Sequence, residues 1–162
     1  MTEQQTATAP RVAKPPGAGT PVIVEVVARS TPSGGVEFSQ KWRWEDGTPG
    51  GGNRIDIPPR KANEPGTPIH FHLKDETQPR RGFDFTDEDE GPMWVKRGSC
   101  PPSDQRCEDP QIPPGKMKRS PNLLKVFDEN SEACTLHYRL RFKDRQGRAE
   151  SFDPDIRNGG GK

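Results

Sequence analysis

From Cys134 to Lys143 the chain alternates without a break. Cys134, Leu136, Tyr138, Leu140 and Phe142 are apolar, while Thr135, His137, Arg139, Arg141 and Lys143 between them are polar. Successive side chains of an extended strand point to opposite faces, so this segment can bury one face and wet the other only as a β-strand. A helix would scatter both sets around its axis. Val36 to Trp44 repeats the pattern, with Val36, Phe38, Trp42 and Trp44 on one side. Thr20 to Ala28 is denser in β-branched residues, holding Val22, Ile23, Val24, Val26 and Val27, which predicts a strand buried on much of both faces. Ser33-Gly34-Gly35 between these two segments predicts a hairpin.

Shorter apolar pieces follow: Ile55 and Ile57; Ile69, Phe71 and Leu73; Phe83 and Phe85; Met93 to Val95; Leu123 to Phe127; and Arg148 to Ile156, the last carrying Pro154 at its edge or end. Nineteen prolines and seventeen glycines break the chain between them and argue against helices. Seven or eight short strands predict an all-β, antiparallel, two-sheet Greek-key sandwich of the immunoglobulin-like kind, with a barrel as the alternative. Only 27% of residues are hydrophobic, so the core must be thin. Residues 1–19, polar and proline-rich, are expected to be a disordered tail. Residues 20–158 form the domain, and 159–162 (Gly-Gly-Gly-Lys) a flexible end. Residues 98–122 hold six prolines and read as one long loop.

The closing residues carry a likeness. Tyr138-Arg-Leu140-Arg-Phe142-Lys-Asp144-Arg-Gln-Gly147, then Asp153-Pro154-Asp-Ile156-Arg-Asn158, resemble the ending of small bacterial β-sandwich proteins of the DP-EP family. The resemblance implies a fold and carries no activity.

Charge is balanced, with 25 basic and 24 acidic residues, so no global signal for nucleic acid is present. No apolar run is long enough to span a bilayer. The first nineteen residues lack the apolar stretch of a secretory signal, which makes the cytoplasm the expected compartment. Cys100, Cys107 and Cys134 are an odd set; Cys100 and Cys107 bracket a short loop that a disulfide could close in an oxidising compartment.

Four groups of residues invite a functional reading. His70 and His72 form an H-x-H on one strand face; with His137 they could supply three zinc ligands, although Cys134, three residues from His137, points the other way. Arg139, Arg141 and Lys143 form a basic outward stripe, a binding face for an acidic partner unless Asp84 and Asp87 to Glu90 neutralise it. Trp44 and Trp94 could line a glycan or ligand surface at one end of the sandwich, the alternative being core packing with Trp42. Asp87 to Glu90 lack the spacing of a calcium loop, and Asn158 is expected to fix the chain exit by side-chain to backbone bonding. No serine or cysteine nucleophile sits in a recognisable catalytic context. These features favour a non-enzymatic interaction or structural module with a protein partner, metal binding and ligand binding being the alternatives.

Overall fold

The structure is a computed structural model that describes residues 17–161. The expected tail falls almost wholly outside the described residues. Among the described residues eleven strands follow in order: β1 (Val22–Ser30), β2 (Val36–Trp44), β3 (Arg54–Ile57), β4 (Thr67–Glu76), β5 (Asp84–Phe85), β6 (Met93–Arg97), β7 (Lys118–Ser120), β8 (Leu123–Asp128), β9 (Ala133–Lys143), β10 (Ala149–Phe152) and β11 (Asp155–Gly159). No α-helix occurs among the described residues, only a single 3-10 turn at Pro114–Lys116.

The strands build two sheets and not a closed barrel. One is five-stranded in the order β2-β1-β4-β8-β7. The other is six-stranded: β10 and β11 share one side of the long β9, β5 and β6 share its other side, and β3 extends the sheet beyond β11. Buried side chains of both sheets meet in one core, where Val22, Val24, Val26, Ile69 and Phe71 face Leu136, Tyr138, Leu140 and Ile156. Phe38 stacks on Phe142 with ring centroids 4.7 Å apart. Inside this layer the Tyr138 hydroxyl donates to Gln40 Oε1 at 2.9 Å, satisfying two buried polar groups across the sheets.

Four expectations need correction. The sheets are mixed, because β1 and β4 run parallel, as do β3 and β11. After the β1–β2 hairpin the chain crosses to the other sheet for β3 and returns on the free side of β1. Alternation tells which face a residue takes but not which way a strand runs.

The segment 98–122 is not one structureless loop. Ile112 is fully buried in the core, β7 pairs with β8, and Arg97 holds Asp109 in a two-bond clasp at 3.0 and 3.2 Å. The final glycines are not a loose end either. Gly159 closes β11, the Gly160 N–H donates to Asn130 Oδ1, and Gly161 bridges to Arg60. Pro154 divides the last expected strand into β10 and β11.

Candidate functional site

On the outward face of the six-stranded sheet, the basic stripe is used up internally. Arg139 donates to Ser151 Oγ and to the Pro101 main-chain oxygen, and lies 3.4 Å from Asp153. Arg141 donates to the Gly91 oxygen and to Glu88, and its guanidinium sits 4.3 Å over the Trp94 ring. Lys143 reaches the other oxygen of Glu88 at 2.9 Å. Only 13% and 17% of the two arginine side chains is exposed. Arg139, Arg141 and Lys143 therefore hold the acidic loop 86–92 and the start of the 98–122 segment as a roof over β9. The neutralising partner among the acidic candidates is Glu88, and charge-assisted bonds to arginine make it a firm one. The hydrogen bonds of the charged form, with those two cations beside them, keep the Glu88 carboxyl below its usual range.

The three histidines do not converge. His70 and His72 face outward from β4 in the five-stranded sheet, whereas His137 faces outward from β9 in the other, beside Lys96 and Asp155. The whole core separates them, and no group of three or more metal-ligating side chains occurs among the described residues. The zinc set of His70, His72 and His137 is thus corrected: a shared parity within each strand placed the residues on wet faces, but on the wet faces of two different sheets.

Trp44 and Trp94 form no aromatic platform. Trp44 is 6% exposed and packs edge-on against Trp42, while Trp94 is 4% exposed beneath Arg141, its indole N–H donating to the Glu90 oxygen. Cys100 and Cys107 are both free thiols, as is Cys134, so the loop disulfide is not formed.

The five-stranded sheet is different on its outer side. A shallow cleft of about 580 Å³ opens there, lined by Ile23, Glu25, Lys41, Trp42, Arg43 and His72. Register explains its electrostatics. Arg43 of β2 lies opposite Ile23 of β1, Ile23 opposite His70 of β4, His70 opposite Lys125 of β8, and Lys125 opposite Lys118 of β7. One cross-strand row therefore carries four nitrogen bases over five strands, roughly 19 Å at the usual strand spacing.

The neighbouring row is compensated: Lys41 pairs with Glu25 at 3.4 Å. Arg29 and Lys74 share Glu76. Among the described residues Arg43, Lys125 and Lys118 have no carboxylate within ion-pair distance. Partial burial, then the Lys125 ammonium, pushes the His70 imidazole below its ordinary value, against an opposing pull from the Glu45 carboxylate. Like charges directly opposite one another cost a sheet a few tenths of a kcal/mol.

The chain matches no protein-family model and no curated protein.

Sequence reading missed Arg43, Lys118 and Lys125 because they lie on three strands, one of them far from the other two in the chain, and only register aligns them. It also missed Asp144, whose buried carboxylate binds Arg81 and Arg148 and closes the β9–β10 turn through the N–H groups of Gln146 and Arg148. Its place in Asp144 to Gly147, a hairpin-type turn, was the available signal.

Proposed function

We propose that this chain is a non-catalytic β-sandwich module that works by contact, and that its contact surface is the outer face of the five-stranded sheet. The proposed partner is an acidic segment of another protein. One observation carries the reading. The outer face of the six-stranded sheet is roofed by loops that its own arginines pin, while the opposite face is open and holds a row of basic groups whose Arg43, Lys125 and Lys118 form no ion pair among the described residues.

An acidic partner would relieve the repulsion within the row and would find Ile23, between Arg43 and His70, for apolar contact. Single-stranded nucleic acid is the weaker fit, since such surfaces stack bases on exposed aromatic rings. The half-buried Phe127 of β8 is instead covered by the Lys116 ammonium, 4.5 Å from its ring centre.

Titration of isotope-labelled protein with poly-L-glutamate tests the reading. The expected result is a set of amide shift changes centred on Arg43, His70, Lys125 and Lys118, with the His70 pKa rising as the bound carboxylates offset Lys125. The double variant Arg43→Glu/Lys125→Glu should lose at least tenfold in affinity. Tighter binding of an oligonucleotide than of poly-L-glutamate, or shift changes confined to the six-stranded sheet, would overturn it.

A further inference from the structure

Asp128 ends β8 in one sheet and Asn158 lies in β11 of the other, and the two side chains meet inside the protein, both almost fully buried. Asn158 Nδ2 donates to Asp128 Oδ1 at 2.8 Å, and that same oxygen accepts the Asn130 N–H at 2.9 Å. The two oxygens left over, Asp128 Oδ2 and Asn158 Oδ1, are buried and have no hydrogen-bond partner among the described residues. Both are acceptors, and two orphaned acceptors on one hydrogen-bonded pair is an expensive arrangement. A single hydrogen between them would satisfy both.

We propose that Asp128 is a neutral carboxylic acid in the folded protein, that its Oδ2–H donates to Asn158 Oδ1, and that the resulting acid–amide ring is a proton-dependent clasp between the two sheets. The surroundings favour the proton. Asp109 and Glu129 add negative charge nearby, and the cations that face this end are engaged elsewhere. Arg97 is held by Asp109 and Glu132, Lys116 by Glu129, and Arg60 donates to main-chain oxygens. From β4 the opposing residue is Thr67, and from β9 the residue opposite Asn158 is Cys134, whose thiol burial pushes upward; neither brings positive charge.

Burial raises the carboxyl from 3.8 to about 7, outweighing the bonds from Asn158 and Asn130. The folded chain then holds a proton that the unfolded chain releases. The contribution of Asp128 to stability is complete below pH 3.8, falls as pH rises, and is lost once pH passes about 7. Above neutrality a carboxylate faces the Asn158 carbonyl oxygen without a donor, and the clasp opens.

The test combines two measurements on the full chain. Carbon-13 detection of the Asp128 carboxyl should show titration near neutrality. Thermal unfolding should show a melting temperature that falls from pH 5 to pH 8 in the wild type and is flatter in Asp128→Asn, because an amide at 128 donates to Asn158 Oδ1 at every pH. A carboxyl that titrates below pH 5 would overturn the clasp; it would mean an ionised Asp128 with water donating to both oxygens. Parallel pH profiles of wild type and Asp128→Asn would overturn it equally. The carboxyl measurement stands on the wild type alone if the variant does not fold.

Discussion

Replacing Ile112 by alanine removes three carbons from a side chain with no exposed surface, in the middle of a proline-rich segment that composition alone reads as loop. At about 0.8 kcal/mol per buried methylene, lost transfer energy is about 2.4 kcal/mol. The cavity adds to this wherever the walls cannot collapse. Here the chain leading into Ile112 is fastened twice: Asp109 by Arg97, and Gln111 by the Ser131 side chain and N–H and by the Glu129 N–H, which donates to its main-chain oxygen. A total of about 3–4 kcal/mol is therefore expected. For a domain of this size that lowers the melting temperature by roughly 6–16 °C.

Urea unfolding followed by tryptophan fluorescence measures the difference directly, with an unchanged m-value if the native state stays compact. Cys107→Ser in the same segment is the control, since the half-buried thiol makes only one long contact, 3.6 Å to the Gln105 oxygen. It should change stability by less than about 0.5 kcal/mol. A loss below about 1 kcal/mol for Ile112→Ala, or equal losses for both variants, would refute the view that this segment is part of the core.

Two further perturbations address the turn and the chain end. Burial alone would raise the Asp144 carboxyl, but the Arg148 N–H, the Arg81 and Arg148 guanidiniums and the Gln146 N–H hold it at about 2. Its stabilisation is therefore present above pH 3.8 and disappears as pH falls toward 2, and acid unfolding of Asp144→Asn should begin from a lower melting temperature with a shallower acid limb than the wild type. Gly160→Ala should destabilise the protein by about 1–3 kcal/mol in thermal melts, because its φ of +90° suits only glycine and an added Cβ would lie 2.5 Å from the Ala133 nitrogen.

Period-two alternation made the strands legible. The Cys134–Lys143 and Val36–Trp44 segments fall where the side-chain pattern put them, and the β1–β2 hairpin follows from the glycine turn between them. What alternation assigns is a face, and this is where the functional reading failed. His70 and His137 were each on a wet face, yet nothing local says that those faces belong to different sheets. For the stripe on β9 the acidic run that holds Glu88 was legible as a neutralising partner, whereas the Gly91 and Pro101 oxygens come from loops that no periodicity describes.

The row from Arg43 to Lys118 was invisible for the complementary reason. Each of its members is an ordinary surface residue until β-pairing registers align them. Asn158 was legible in part. Its side chain is fixed, but to Asp128 of the other sheet and not to the backbone of the chain exit, which Asn130 holds instead by accepting the Gly160 N–H.

The central claim is that one face of the sandwich is open and the other is covered by its own loops. Relaxation enhancement by a neutral, soluble gadolinium chelate measures this side by side in one sample. Side-chain signals of Ile23, His72 and Lys125 should broaden strongly, while the Trp94 indole and the Arg139 and Arg141 guanidinium signals should be nearly untouched. Equal broadening on the two faces, or stronger broadening at Trp94 and Arg139, would contradict the account.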